Sequence, residues 1–225
     1  MKDFLSISMR ARVADFRGRG VYSGYPNKHH CIFVHIPKAA GTSVSKSLFG
    51  VGSRHVRYTE YEQANPKKFE EYFKFCFVRN PWDRLYSAYT FLKRGGMNDM
   101  DARWARENLG DYSDFPSFVR SWVTVENIWS WVHFKPQHYF ICDDQLQQKI
   151  DFIGKFEVIA HDFDSIVQRI GISPRTLPHT NGTDNPGSYR EHYDEETWQI
   201  VASVYGVDIE LFGYEDNDYT RGSQV

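Results

Sequence analysis

Residues 37–43, PKAAGTS, combine a lysine, a glycine and two hydroxyl side chains in one short segment. Lysine supplies a movable positive charge, hydroxyl groups supply hydrogen-bond donors, and glycine lets the backbone approach a ligand closely. The apolar run CIFVHI precedes the segment and a helical pattern follows it, so backbone N–H groups should converge at a helix start. We therefore predict that this segment, the anion turn, binds a phosphate or sulfate group. Its predicted binding residues are Pro37, Lys38, Ala39, Ala40, Gly41, Thr42 and Ser43.

A second anion site is predicted from 77-FVRNPWDRLYSAY-89. Arg79 ends an apolar run typical of a buried strand, and α/β sheets bind ligands at the carboxyl ends of their strands. Ser87 follows about two helical turns later, and an arginine with a serine hydroxyl suits a phosphate group. Two anion sites on neighbouring strand ends predict a nucleotide that is phosphorylated at both its 5′ and 3′ positions.

The anion turn differs from the P-loop of nucleoside triphosphatases, whose pattern is GxxxxGK[ST]. Lys38 precedes the small residues instead of following them, and Arg79 stands where a Walker B aspartate would hold magnesium. A cation at that point indicates an anionic ligand that is handled without a metal. No histidine spacing in the sequence suggests a zinc site.

The elements around these segments predict an α/β fold with a P-loop-like central parallel β-sheet, flanked by helices on both faces, in a single domain. Helix starts are predicted at Asn65-Pro66 and Asn80-Pro81, because asparagine caps a helix and proline favours its first turn. Helix ends are predicted at Gly95-Gly96, Gly171 and Gly206. The predicted strands are residues 31–36, 74–78, 139–142 and 150–158.

Residues 1–30 are predicted to form a loose, solvated N-terminal arm with at most a short helix, and residues 31–225 are predicted to form the folded domain. The polar and acidic residues 97–114 predict an excursion from the core. Residues 115–140 predict an aromatic, helical segment, whose tryptophans at helical spacing are interpreted as core.

Composition sets bounds on function. The formal charge of −2 argues against general nucleic-acid binding, and no apolar run is long enough to span a membrane. The N-terminus lacks the apolar stretch of a signal peptide, and three scattered cysteines do not suggest a disulfide framework. We therefore expect a soluble, cytoplasmic protein.

The two anion motifs resemble those of the sulfotransferases that use 3′-phosphoadenosine-5′-phosphosulfate (PAPS). The sequence is most similar to the carbohydrate sulfotransferase branch (sulfotransferase family 2-like), which includes the heparan 2-O- and chondroitin enzymes and many bacterial relatives. The bacterial type is the expected one. The resemblance continues in 151-DFIGKFEVIAHDF-163, LPH (177–179), YREHY (189–193) and DIELFGYE (208–215).

This resemblance implies a PAPS-dependent sulfotransferase that releases 3′,5′-adenosine bisphosphate and needs no metal. It implies that Lys38, Gly41, Thr42 and Ser43 hold the 5′-phosphosulfate, and that Arg79 and Ser87 hold the 3′-phosphate. The loop before Tyr189 and Arg190 would close over the nucleotide. The acceptor would be a glycan, a glycolipid or a small alcohol, with residues 97–140 as a helical excursion on the acceptor side.

Transfer to a hydroxyl group needs a general base, and histidine is the natural one near neutral pH. The candidate histidines are His35, His55, His133, His138, His161, His179 and His192. His35 lies in a predicted strand and is interpreted as a core histidine. His55 is the preferred base, because it falls where the family's base histidine does, before the second strand. Glu60 and Glu62 are weaker candidates. The rival functions are a P-loop-type kinase and a non-catalytic nucleotide- or glycan-binding module, and the oligomeric state stays open.

Overall fold

The structure is a computed structural model that describes residues 6–173, Leu177 and residues 188–215. The chain divides into two compact units, and each unit is built from two separate stretches. The first unit comprises Met1–Val78 and Gln137–Thr180, and the second comprises Arg79–Pro136 and Asn181–Val225.

The first half of the chain contains the first two strands and most of the helices. Its elements are α1 Ile7–Phe16, α2 Tyr25–His29, β1 Cys31–Val34, α3 Gly41–Phe49, α4 Tyr58–Ala64, α5 Pro66–Glu71, β2 Phe73–Val78, α6 Pro81–Lys93 and α7 Asp99–Leu109. The later elements are α8 Phe115–Trp122, α9 His138–Ile141, β3 Phe152–Lys155, α10 Ile159–Ile170, α11 Glu195–Val204 and α12 Gly206–Leu211. Short 3-10 helices cover Asn127–Trp129, Phe156–Val158 and Ser188–His192.

The first unit contains a parallel sheet of three strands, in the order β1-β2-β3 among the described residues. Phe75 of β2 pairs with Phe33 of β1 on one side and with Phe152 of β3 on the other. Strands β1 and β2 are almost wholly buried, as their continuous apolar runs predict for a parallel sheet. Helices flank the sheet, so the predicted α/β architecture is confirmed. The carboxyl ends of all three strands lie at one edge.

The described residues before β1 are folded rather than solvated, which corrects the expectation of a loose arm. Helix α1 packs on α4, and Asp15 accepts hydrogen bonds from Lys68 Nζ at 2.8 Å and from Asn65 Nδ2 at 2.8 Å. Tyr22 is fully buried and donates to the carbonyl oxygen of Tyr61 at 3.0 Å. These contacts join residues far apart in the sequence, so the local pattern of residues 1–30 could not reveal them.

The second unit is helical and has an aromatic core. The rings of Trp82 and Trp198 stack at 4.3 Å, and Trp82 Nε1 donates to the carbonyl oxygen of Trp198 at 3.0 Å. Tyr193 donates its hydroxyl proton to the Trp82 carbonyl oxygen at 2.9 Å. Trp122 and Phe134 are also buried in this core, which confirms their interpretation as packing residues, whereas Trp129 is 42% exposed and its interpretation as core is wrong.

Two predicted elements are wrong. The polar stretch 97–114, expected to belong to a helical excursion, contains helix α7, which Asn98 caps, but α7 buries Trp104 and Leu109 in the aromatic core. The short apolar run 139–142 forms helix α9 instead of a strand, since four apolar residues suit either element. The last long helix, α11, ends at Val204 with Tyr205 as its C-cap, directly before Gly206, and Gly206 begins the short helix α12. The helix starts at Pro66 and Pro81, by contrast, are confirmed, with Asn65 and Asn80 as caps.

Candidate functional site

The anion turn follows β1 and leads into α3, where two residues other than glycine have left-handed backbones. Lys38 has φ 66° and Ala40 has φ 60°. Residues with a Cβ rarely adopt this region, because it is sterically strained. Strained backbone is common at ligand sites, where it orients backbone N–H groups toward the ligand. Alternation of ordinary and left-handed residues forms an anion-binding concavity of N–H groups. The backbone of the turn therefore has a shape that suits an anion.

Helix α3 contributes its amino-terminal end to the same turn. It is nine residues long, and Ala40 at its N-cap has no side chain that could cap the first-turn N–H groups. Thr42 is exposed and Ser43 is half-buried in that first turn. The helix dipole and the two hydroxyl groups favour negative charge at this end.

The packing of the His35 ring explains why residue 41 is a glycine. A Cβ on Gly41 would lie 1.8 Å from His35 Cδ2 and 2.2 Å from Nε2, so the imidazole fills the space of a side chain. The His35 ring is buried, and its Nδ1 lies 2.8 Å from the hydroxyl oxygen of Ser53. The interpretation of His35 as a core histidine is therefore confirmed, and its ring forms a wall of the anion turn. The glycine is required for packing, a reason that the sequence did not reveal.

His55 lies against His35. The two ring centroids are 4.3 Å apart, and His55 Nδ1 lies 3.2 Å from the His35 carbonyl oxygen. A carbonyl oxygen can only accept, so Nδ1 donates and the neutral His55 ring has its lone pair on Nε2. That tautomer is the one a general base at Nε2 requires. The structure thus brings the preferred base next to a wall of the anion turn.

A cavity of about 450 Å³ lies beside the segment that carries His55. Ser53, Arg54 and Val56, which flank His55 in the chain, belong to its wall. The lining also includes Lys28, and the described residues that line it include no aspartate or glutamate. The aromatic rings of Tyr25 and Phe49, stacked at 4.0 Å, lie on the same wall. The cavity therefore combines positive charge with flat apolar surface.

The predicted 3′-phosphate residues belong to the second unit. Arg79 is buried, and its Nε and one terminal nitrogen donate to Asp83 at 2.7 and 2.8 Å in a bidentate pair. Asp83 is the functional neighbour that the sequence analysis missed, although the i, i+4 spacing was a signal for it. Ser87 is half-buried on α6. Any anion at Arg79 therefore shares the guanidinium group with a carboxylate.

Tyr189 and Arg190 lie in the 3-10 helix Ser188–His192 of the same unit. Tyr189 is buried, and the Arg190 guanidinium carbon lies 5.4 Å from the centre of its ring. The loop 178–187, predicted to close over a nucleotide, lies outside the described residues, as do Pro178 and His179 of the LPH motif.

Arg84, also in the RNPWDRL motif, is structural. It is buried, it donates to the carbonyl oxygens of His133 and Lys135, and burial lowers its pKa.

No group of side chains that could hold a metal ion is found in the described part of the chain. Within the same residues, no helix combines the length and the apolar character needed to cross a bilayer. Cytoplasmic localisation and the domain boundaries stay predictions.

Comparison with known proteins identifies the family to which this chain belongs. The model of the sulfotransferase family matches residues 25–215, which is most of the chain and includes both predicted anion segments. The chain belongs to the sulfotransferase family. This membership confirms the resemblance to carbohydrate sulfotransferases at the level of the family.

The curated relatives of this sulfotransferase family member are distant. Mouse carbohydrate sulfotransferase 14 is 28% identical over 173 residues, which cover 68% of this chain and 45% of the relative. Mouse carbohydrate sulfotransferase 11 is 25% identical over 286 residues, covering 98% of this chain and 76% of the relative. An uncharacterized protein of Archaeoglobus fulgidus is 29% identical over 127 residues, covering 56% of this chain and 88% of that protein. The chain spans just under half the length of carbohydrate sulfotransferase 14. No solved structure matches it.

Proposed function

We propose that this protein transfers the sulfuryl group of PAPS to a hydroxyl group of a carbohydrate or glycoconjugate acceptor. Family membership and the names of the curated relatives support the reaction class. The single observation that carries the donor assignment is the anion turn, with its left-handed residues Lys38 and Ala40 at the start of α3.

The residues of the turn fit the 5′-phosphosulfate of such a donor. The N–H groups of the turn and the positive end of the α3 dipole would face the negatively charged oxygens of the phosphosulfate. Thr42 and Ser43 add hydroxyl donors, and Lys38 adds one positive charge. Pro37, Ala39 and Ala40 contribute only backbone. The proposed reaction needs no metal, because Lys38 and these donors neutralise the leaving phosphate.

The reaction is an in-line displacement at sulfur. The acceptor oxygen forms the new S–O bond while the bond from sulfur to the 5′-phosphate oxygen breaks, and the electron pair leaves with that phosphate. His55 Nε2 takes the proton of the acceptor hydroxyl, as its tautomer allows. The Nδ1 hydrogen bond to the His35 carbonyl oxygen holds the ring in that orientation and stabilises the imidazolium that forms.

The 3′-phosphate is assigned to Arg79 and Ser87, with Tyr189 and Arg190 as further nucleotide contacts. This assignment rests on the family resemblance of FVRNPWDRLYSAY. The bidentate pair with Asp83 fixes the guanidinium plane of Arg79 before any ligand arrives, which reduces the entropy lost on binding. The same pair weakens the net positive charge that the phosphate would meet.

The acceptor is assigned to the cavity lined by Ser53, Arg54 and Val56 on either side of His55, in place of the acceptor side expected over residues 97–140. Lys28 and Arg54 suit the carboxylate of an acidic sugar, and the Tyr25 and Phe49 rings suit the flat face of a sugar ring. Replacing Arg54 with alanine should raise KM for an acidic acceptor several-fold, by loss of a charge-assisted contact, and should leave nucleotide affinity unchanged. An equal effect on a neutral acceptor would contradict the charge assignment.

The decisive experiment combines a transfer assay with a binding titration. PAPS carrying radiolabelled sulfate should label an acceptor from a panel of acidic and neutral glycans, glycolipids and small alcohols. The product 3′,5′-adenosine bisphosphate should bind tightly without magnesium. Binding of ATP only with magnesium would instead favour a kinase, and binding of the bisphosphate without transfer to any acceptor would favour a non-catalytic module.

The base assignment is tested separately. His55→Ala should lower the single-turnover transfer rate by roughly 10²–10⁴ while affinity for the bisphosphate hardly changes. The wild-type rate should fall as the pH is lowered, because a protonated imidazole cannot accept the acceptor's proton. Glu60→Gln is the matched control, since Glu60 is an exposed carboxylate on the following helix. A crippled Glu60 variant beside an active His55 variant would move the role of base to Glu60.

A further inference from the structure

Helix α1 has an outward face that neither the fold nor the proposed reaction uses. Phe16 is 92% exposed, and Met9 and Val13 are also exposed. These three residues are spaced i, i+4 and i+7, so they form one apolar stripe along the helix. Isolated apolar residues on a surface need no explanation, but an aligned stripe that includes an almost fully exposed phenylalanine indicates a contact surface.

The opposite face of α1 is anchored to the first unit. Asp15 accepts hydrogen bonds from Lys68 and Asn65, and α1 packs on α4. At the border of the stripe, Arg12 also donates from Nε to the Gln63 carbonyl oxygen at 3.4 Å. The helix is therefore held on its unit with the apolar stripe turned outward.

Positive charge borders the stripe on both sides. Arg10 and Arg17 are seven residues apart and lie along one side, and Arg12 lies along the other. All three are exposed, and Arg19 follows just beyond the helix. The one acidic residue among residues 6–24, Asp15, faces inward. Exposed apolar side chains between arginines are complementary to the surface of a membrane with anionic lipid headgroups, because the arginines attract the headgroups and the apolar side chains can enter the headgroup region.

We propose that the outer face of α1 binds the surface of an anionic membrane, with Met9, Val13 and Phe16 entering the headgroup region and the arginines contacting lipid phosphates. A second copy of the chain suits this face less well. Symmetric pairing of two such faces would bring arginines of the same charge together, which is unfavourable. The proposal does not depend on the proposed sulfotransferase activity.

Vesicle sedimentation of the full chain tests the proposal. The protein should bind vesicles of phosphatidylcholine with about a third phosphatidylserine, should bind pure phosphatidylcholine weakly, and should be released by salt. The pair of changes Val13→Ser and Phe16→Ser should reduce the partition coefficient roughly tenfold or more on anionic vesicles. Arg10→Gln with Arg17→Gln should remove most of the preference for phosphatidylserine.

The matched control is Val125→Ser, since Val125 is also exposed but belongs to the second unit and precedes Glu126. It should bind vesicles like the unchanged protein. All of the substituted side chains point to solvent, so thermal unfolding should be unaffected. Equal binding by the Val13 and Phe16 variant, or no binding to anionic vesicles, would overturn the proposal. So would a dimer that forms without lipid and is lost on Phe16→Ser.

A fluorescent label gives a second, independent readout. The three native cysteines are buried, and burial raises the pKa of Cys31 to about 12, so the native thiols react slowly. Phe16→Cys can therefore be labelled selectively with a polarity-sensitive dye. Its emission should shift to the blue on anionic vesicles, whereas a label placed through Val125→Cys should not shift. If the emission of the label at residue 16 did not shift, insertion of the stripe would be contradicted.

Discussion

The anion turn and the segment around Arg79 both follow a strand and lead into a helix, yet they are built differently. The anion turn relies on backbone: left-handed residues, a glycine against a histidine ring, and a helix start with no side-chain cap from Ala40. The Arg79 segment relies on side chains: a buried ion pair with Asp83 and a cap from Asn80. Ligand binding and folding stability should therefore be separable in the first segment and coupled in the second.

The largest effect is expected at Arg79. Arg79→Ala should lower the free energy of unfolding by about 3–5 kcal/mol, because the Asp83 carboxylate stays buried without its partner. Urea denaturation measures this loss. The double change Arg79→Ala with Asp83→Ala should be less destabilised than the sum of the two single changes. Additive losses would show that the pair is not coupled, and the comparison would fail.

Lys38→Ala should show the opposite behaviour. The transfer rate should fall by roughly 10²–10³, the usual effect of removing one stabiliser of developing charge. The free energy of unfolding should change by less than about 0.5 kcal/mol, because Lys38 is half-buried in a turn and alanine adopts the same strained backbone no better. Rate and urea midpoint measured on one preparation decide this. A large loss of stability would make the two segments alike.

Gly41→Ala tests the contact between the turn and His35. The new methyl group would meet the imidazole, so the free energy of unfolding should fall by about 1–3 kcal/mol. The second change His35→Ala should restore part of that loss by making room for the methyl group. If Gly41→Ala is harmless on its own, the ring does not define the wall of the turn.

The smallest effect is a gain of stability. Ala40→Gly should raise the free energy of unfolding by about 1 kcal/mol, because glycine accepts the left-handed backbone and is the better N-cap residue. Ala39→Gly is the control, since Ala39 does not have a positive φ, and it should lower stability by about 0.5–1 kcal/mol. Thermal unfolding of the two variants measures the difference. Equal changes in the thermal stability of the two variants would contradict the strain at residue 40.

Local sequence signals predicted the elements that hold the site. Strands β1 and β2 are continuous apolar runs, and α5 and α6 begin at asparagine–proline pairs, so both can be identified without knowledge of tertiary contacts. Helix α7 was expected as part of a helical excursion because its surface is polar, and only its burial of Trp104 and Leu109 reveals it as part of the core.

The details of the site depended on contacts that the sequence does not show. Lys38 and Ala40 are not residues for which a left-handed backbone would be predicted, because a Cβ disfavours it. The role of Ser53 at His35 depends on a loop that folds back after α3, and the orientation of His55 depends on a backbone carbonyl. The resemblance identified the residues, whereas the structure supplied the tautomer of His55 and the partner of Arg79.

The pairing of the sheet has a consequence for the order of folding. Phe75 meets Phe33 and Phe152, and the chain between Phe75 and Phe152 is almost twice as long as the chain between Phe33 and Phe75. Doubling the length of a loop raises the free-energy cost of closing it by only about 0.6 kcal/mol. Pairings between residues that are distant in the sequence nevertheless form late. We expect β1 and β2 to pair first and β3 to join afterwards, so pulse-labelled amides of Phe152–Lys155 should gain protection from exchange later than those of Phe73–Val78.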